Sequence, residues 1–352
     1  MTLIELLVAF VVLLMLVGAL VSLTTQSLES WTAGETRKEV YDRANAVLDA
    51  IASDLRNVYV ENQIFDDGQK MLQPPTFACD LDRNKHARLR FVRTGNAAVM
   101  RVPAGAGGGG GPTNLTPPPV YYTRAWEVAY VMDPDPAKAV LWRAVRGYDR
   151  KGTNSLLRPP LHYAVNDPFF ETSFGSVESG VLWVGYKFWT QYTTTWDDSE
   201  KIQKVGPASK QRSGPEKRWD STRREDKGFY FYRRHFDSTN PDFVYPEIVE
   251  ITVVVESGTP ETHGVRLTES CDERSSAIRL THTRGLPDAP ALVRIEGEWI
   301  EYGGITLTEL TNVRRAERLT AAASHPAGAG VRFGETFTTE VRLNVYREAQ
   351  EP

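Results

Sequence analysis

Cysteine, metal-ligand spacing and catalytic motifs are all scarce in this sequence, and each shortage removes a class of function. The 352 residues hold two cysteines, Cys79 and Cys271, far apart and outside any C-x-x-C pair. A cysteine-based zinc site is thereby excluded. No G-x-S-x-G, H-E-x-x-H or Walker pattern occurs. The six histidines, His86, His162, His235, His263, His282 and His325, are scattered over expected loops and strand edges, where each reads as a solvated residue rather than a ligand or base. Charge of one sign is lacking too. A net charge of −4 and a pI near 6 leave no basic footprint for nucleic acid. The expectation is a protein that is not an enzyme, with no cofactor, no metal site and no nucleic-acid partner. Acid pairs such as Asp133 with Asp135 and Asp197 with Asp198 read as turns or solvated loops, because a calcium cage needs about six to eight oxygens arriving from several places. The glycine run Gly107–Gly111 lacks the Gly-Lys-Ser/Thr that a phosphate loop would carry, and reads as a flexible surface loop.

What the sequence does have is one long apolar run, Leu3 to Leu23, carrying a single acid, Glu5, and ending in polar sequence. At 1.5 Å per residue, about 20 such residues match the hydrocarbon core of a bilayer. A carboxylate inside that span costs on the order of 2.5–3.5 kcal/mol and is tolerated where it meets a partner. A secretory signal peptide would need a basic segment before the run and a small-residue cleavage site after it, and neither is present. A plain single-pass anchor leaves Glu5 unexplained. A cation at the same depth explains it, and the amino group at Met1 of a neighbouring helix, packed with an axial stagger, supplies one.

The segment Thr2-Leu3-Ile4-Glu5-Leu6 followed by an apolar helix resembles the mature N-terminus of type IV pilins and type II secretion pseudopilins. That resemblance implies a short basic leader ending in Gly, removed by a prepilin peptidase, and methylation of the amine at Met1, where the family usually has Phe. It also implies that Glu5 sets subunit register, and that Leu3, Ile4, Leu6, Leu7, Phe10, Leu13, Leu14, Leu16, Val17 and Leu20 form a filament core.

Beyond residue 24 the helical pattern continues and becomes amphipathic. Val40, Ala44, Val47, Ile51, Leu55 and Val58 recur at spacings of three and four. Lys38, Asp42, Asp49 and Arg56 fall opposite, while Arg37, Arg43 and Asp54 flank the stripe. One helix is therefore expected to run to about residue 57, with Val40, Ala44, Val47, Ile51 and Leu55 packing on a head. Gly18 and Gly34 are candidate points of bending. The stretch from Val40 to the tripeptide Asp54-Leu55-Arg56 resembles the helix end of minor pseudopilin J of type II secretion.

From residue 60 the pattern becomes short β-rich runs: Ala87–Arg93, Trp126–Val131, Ala139–Val145, Val181–Trp189 and Tyr245–Val255. Asp133-Pro-Asp-Pro136 supplies a turn between the second and third. Towards the C-terminus, Ala291–Tyr302 reads as two strands around Glu296-Gly297, followed by Leu307–Val313 and a closing strand near Phe337–Tyr346. This part resembles a short β-module of phage-tail-like proteins, with Ala316 standing where that module carries Gly after Arg315. The aromatics Trp183, Tyr186, Phe188, Trp189, Tyr192 and Trp196, and Phe229–Tyr232, read chiefly as sheet core, with a protein interface as the alternative.

The expected fold is α+β. A pilin-like helix has a filament-core half (1–24) and an amphipathic half (25–59), and it packs on an antiparallel β head (60–260). Flexible insertions fall near 103–119 and 197–227, an inserted β subdomain spans 261–335, and a closing strand and tail occupy 336–352. Cys79 and Cys271 either pair in one disulfide or stand as separate thiols. The resemblance implies a single-pass inner-membrane protein with a periplasmic head, a structural subunit at the tip of a type II secretion pseudopilus. Its partners would be the other minor pseudopilins, the major pseudopilin and the prepilin peptidase. The rivals are an adhesive minor pilin of a type IV pilus, resembling the W class, and a membrane-tethered extracytoplasmic binding module or enzyme.

Overall fold

The computed structural model describes residues 3–59, 76–82, 84–94, 125–135, 138–148, 156, 173–189, 196–198, 219–220, 245–257 and 264–343. The expected insertion at 103–119 and the aromatics Tyr192 and Phe229–Tyr232 lie outside them. So do His162, His235, His263 and most of 197–227. One long helix, α1 (Leu3–Arg56), precedes a body of antiparallel strands, so the chain is α+β.

The strands are β1 (Phe77–Leu81), β2 (Ala87–Thr94), β3 (Ala125–Met132), β4 (Val140–Gly147), β5 (Phe174–Ser179), β6 (Val181–Trp189), β7 (Asp197–Asp198), β8 (Trp219–Asp220), β9 (Ile248–Glu256), β10 (Ala277–Arg279), β11 (Ala291–Ile295), β12 (Glu298–Ile305), β13 (Glu309–Glu317), β14 (Val331–Arg332) and β15 (Gly334–Arg342). The chain divides into two compact units. One comprises Ala46–Val254, Ala316–Ala321 and Thr336–Pro352; the other comprises Met1–Asn45, Val255–Arg315 and Ala322–Glu335.

In the first unit, β1 to β5 form a meander within a six-stranded sheet ordered β5-β4-β3-β2-β1-β8. The expected hairpin between β3 and β4 is present, closing with Met132 opposite Leu141. Asp133 makes its turn: Oδ1 accepts from the Asp135 backbone N–H at 2.9 Å, and Oδ2 accepts from Trp142 Nε1 at 2.9 Å. This is the turn chemistry that Asp favours, and it occupies both oxygens of the carboxylate considered for calcium. The cross-strand register places Phe77 against Phe91, Cys79 against Leu89 and Leu89 against Tyr130 on one face. All five are fully buried. Phe188 of β6 meets Phe77 edge-on with ring centroids 5.9 Å apart. A smaller sheet, ordered β15-β9-β6-β7, contains β6.

The other face of the large sheet is unusual for its charge. Arg88 and Arg90 alternate with Leu89 and Phe91, a pattern that reads as a solvated face, yet both arginines are buried. Asp80 takes a two-pronged bond from Arg88, Nε at 2.9 Å and Nη2 at 2.8 Å, and a third from Arg90 at 2.6 Å. Arg90 also donates to the Leu156 carbonyl, and the Leu156 N–H donates to Glu127. Burying Asp80, Arg88 and Arg90 is tolerable because they are paired and hydrogen-bonded.

The second unit's strands form a five-stranded sheet ordered β10-β13-β12-β11-β14. The two-residue hairpin at Glu296-Gly297 is present, with Ile295 opposite Glu298 and Glu296 at φ 53°. Its core is its own: Val265, Leu267, Ile278, Leu280, Val293, Ile295, Ile300, Tyr302, Leu310 and Val331 cluster there.

Ala316 adopts φ 60°, the left-handed region that glycine enters freely and other residues enter at a cost of roughly 1–2 kcal/mol. Two further non-glycine residues, Arg318 (φ 51°) and Leu319 (φ 62°), share it within three positions, where the Thr320 N–H closes a turn onto the Glu317 carbonyl. Ala316→Gly is therefore expected to raise stability by about 0.5–1 kcal/mol, after the larger unfolded-state entropy of glycine is subtracted. Urea unfolding of the two proteins checks this; an unchanged or lower midpoint would contradict it.

Candidate functional site: the N-terminal helix and its attachment

The helix has two regimes along one continuous rod. Leu3, Ile4, Leu7, Phe10, Leu13, Leu14, Leu16, Val17 and Leu20 are all exposed, and exposure continues to Glu39 apart from half-buried Thr36. Met1 and the side chains of Glu5, Leu6, Ala9, Glu29 and Ala33 lie outside the described residues. By length and composition this helix is able to cross a membrane, and it is the only such helix among the described residues. Exposed apolar surface of that extent marks a membrane or a partner rather than water. Thr24, Thr25, Thr32 and Thr36 each turn their hydroxyl onto a carbonyl four residues back, the local bond that threonine makes within a helix.

The regime changes at Val40. Val40, Ala44, Val47, Ile51 and Leu55 are buried, at the positions the periodicity picks out, joined by Leu48 and Ala52; Lys38, Asp42, Asp49 and Arg56 are exposed. The periodicity missed Asp54, the residue that ties the helix to the sheet. Asp54 is buried. Its Oδ1 accepts from Arg93 Nη1 of β2 at 2.6 Å and from Arg143 Nη2 of β4 at 3.0 Å. Its Oδ2 accepts from Arg143 Nε at 2.7 Å and from the Tyr130 hydroxyl of β3 at 2.7 Å. Three adjacent strands thus converge on one carboxylate. Burial, with the Asp54 carboxylate beside it, pushes the Tyr130 phenol far above its ordinary range, so it stays a neutral donor. Below Asp54 the chain continues the attachment: the Tyr59 N–H donates to the Val92 carbonyl and the Thr94 N–H to the Asn57 carbonyl, each at 2.8 Å. The sequence signal was available in outline, since an acid bordered the apolar stripe.

A third buried charge cluster lies within the C-terminal sheet. Arg315 grips Glu298 with Nε at 2.8 Å and Nη2 at 2.7 Å. His325 places Nε2 at 2.8 Å from the same Glu298 and Nδ1 at 2.9 Å from Glu296. A neutral imidazole has one donor nitrogen, so two carboxylates on opposite sides select the doubly protonated ring. Hydrogen bonding to Glu298, aided by Glu296, raises His325 above its ordinary value against the effect of burial. His325 is therefore no solvated loop residue, and neither is buried His86, whose backbone N–H donates to Asp82 at 2.8 Å. For His325 the partners lie 27 and 29 residues away, where local pattern does not reveal them.

Cys79 is buried in β1 of the first unit, and Cys271 is buried in the core of the second. Of the aromatics, Trp183, Tyr186 and Phe188 are buried and Trp189 is half-buried against Trp196, in favour of the core reading. Among the described residues no group of His, Cys, Asp and Glu is arranged to hold a metal ion. No family model matches the chain, and no curated protein matches it.

Asp54→Ala is expected to cost about 3 kcal/mol, the low end for removing one partner of a buried ion pair, because Arg93 and Arg143 keep some contact with water. Exposed Asp49→Ala, on the opposite side of the same helix, should change stability by no more than about 0.5 kcal/mol. Chemical denaturation of both variants checks the contrast.

For His325 the folded value lies above the unfolded one. Its contribution is thus fully present below about pH 6.5 and is lost as pH rises through the raised folded value. The unfolding free energy from urea titrations is expected to fall from neutral to alkaline pH, by at most about 1.4 kcal/mol per pH unit from this group. His325→Gln should remove that part of the slope; an unaltered slope would contradict the assignment.

Proposed function

We propose that this chain is a non-enzymatic pilin-like subunit, a minor pseudopilin most similar to pseudopilin J, acting in the assembly of a type II secretion pseudopilus. The observation that carries the reading is the single continuous helix Leu3–Arg56, apolar and exposed in its first part and buried in its last, followed by a β-rich body. A plain anchor needs only the first part. A subunit that must hold its body at a fixed offset from neighbouring helices needs the rod to be continuous and its far end clamped, and the Asp54 cluster supports that.

In this mechanism the exposed apolar half resides in the inner membrane before assembly and against other subunits' helices afterwards. Glu5 answers the N-terminal amine of a neighbour at the same depth. In an apolar surrounding an unpaired carboxylate is costly, so the pair forms only in the staggered register that brings the two charges together.

Glu5→Ala is expected to leave membrane insertion and the folding of the body unchanged and to reduce incorporation into the filament by tenfold or more. Cell fractionation and quantification in sheared filaments measure the two separately. Normal incorporation would remove the register role and leave a tethered extracytoplasmic module as the better reading.

A further inference from the structure

β9 and β15 are neighbours in one sheet, joined by about 75 residues where a hairpin usually needs about two to five. Their contacts are antiparallel and hold one register. The Leu343 N–H donates to the Glu247 carbonyl at 2.8 Å, the Thr252 and Thr338 hydroxyls meet at 3.2 Å, and the Ser257 N–H donates to the Phe333 carbonyl at 3.1 Å. Where the chain leaves β9 and returns to β15, Arg332 grips Glu256 with Nε at 2.7 Å and Nη2 at 2.6 Å. Backbone bonds continue the closure: the Val331 N–H donates to the Val265 carbonyl and the Leu267 N–H to the Ala329 carbonyl, each at 3.0 Å.

What lies inside this closure satisfies itself. Among the described residues, β10 to β14 pair only with one another as a sheet. The apolar cluster around Ile295, Ile300 and Leu310 draws every member from between Val265 and Phe333. The buried acid Glu298 takes its bonds from Arg315, His325 and the Ala323 N–H, all within the same stretch. The one excursion is Ala316–Ala321, which belongs with the first unit.

From this closure we infer that residues 257–333 open and refold as a cooperative unit of their own, carried as the loop of a β9–β15 ribbon, while the rest of the body keeps its structure. Cooperativity passes through shared core and shared strand pairing. The ribbon's own buried side chains, Val249, Ile251, Val253 and Val341, are outside the cluster that fills the inserted sheet. Opening the insert turns a folded connection into a long loop, and the entropy of closing a loop grows only with the logarithm of its length, so the ribbon loses little. The Glu256–Arg332 pair sits at the boundary and limits fraying there. The attachment of α1 through Asp54 is thereby insulated from events in the insert, and this holds whether or not the helix crosses a membrane.

Hydrogen exchange read by mass spectrometry on the full chain in detergent tests the inference, with one core truncation in each part. Ile300 of β12 and Leu89 of β2 are both fully buried. Ile300→Ala is expected to speed exchange at least tenfold in β10 to β13, and less than twofold in β1 to β4 and in Ile248–Val254. Leu89→Ala is expected to do the reverse. Protection lost from β10 to β13 alone supports the inference even where the Ile300→Ala insert does not fold at all. Comparable acceleration in both parts with either variant, or none in the sheet that carries the truncated residue, overturns it.

Discussion

The structure depends on one carboxylate. Asp54 sits near the C-terminal end of a long helix, where the aligned peptide dipoles already concentrate negative charge. Left alone, a buried acid there would be doubly unfavourable. The guanidinium groups of Arg93 and Arg143 answer the side chain and bring positive charge to that end of the helix. The Tyr130 hydroxyl, 3.0 Å from the Ala50 carbonyl and 2.7 Å from Asp54, links the backbone of the helix to its own acid. Apolar packing by Val47, Ile51 and Leu55 is non-directional and allows a helix to slide or roll on a sheet. Four directed bonds from three strands do not, so the cluster fixes the position and rotation of the helix that burial alone only favours.

The same solution recurs where the chain buries charge elsewhere. Asp80 gathers Arg88 and Arg90, and Glu298 gathers Arg315 and His325. In each case an acid is the hub and the cations reach it from neighbouring strands or loops. An isolated buried ion pair is poor support for stability against an apolar replacement. What such hubs supply is specificity: a slipped register would strand a charge in the core, so only the correct strand pairing satisfies them.

This also sets what the sequence could and could not reveal. The helix, its buried stripe from Val40 to Leu55, the β3–β4 hairpin around Asp133 and the two-residue turn at Glu296-Gly297 are written in local periodicity and turn chemistry. They were legible from residues near one another. Asp54, Arg88, Arg90 and His325 look like solvated residues in their own neighbourhoods. Their burial follows from partners 8 to 89 positions away, as Arg88 with Asp80 and Arg143 with Asp54 show. Trp183 is the opposite case, read as core from its own neighbourhood: its ring lies over Gly185, where a β-carbon would fall 1.9 Å from the ring's edge. The glycine is a local mark of that packing: the ring needs the space a β-carbon would fill. The left-handed residues Ala316, Arg318 and Leu319 carry no such mark, because none is the glycine that would announce the turn.

Between its two supported ends the helix has a stretch, 24–39, with little in this chain to pack on. Its threonines, serines and Gly34 are weak helix formers, and an isolated helix of this length and composition would be marginal in water. Starting a helix is the costly step, while extending one adds a hydrogen bond for each residue fixed. Here both flanks are already helical: one is the apolar half, where a membrane would forbid unsatisfied backbone groups; the other is the half that Asp54 pins to the sheet. The middle is thus extended from two nuclei and needs no contacts of its own to stay continuous. The rod's continuity is then a consequence of its ends, and weakening either end should be felt first in the segment between them.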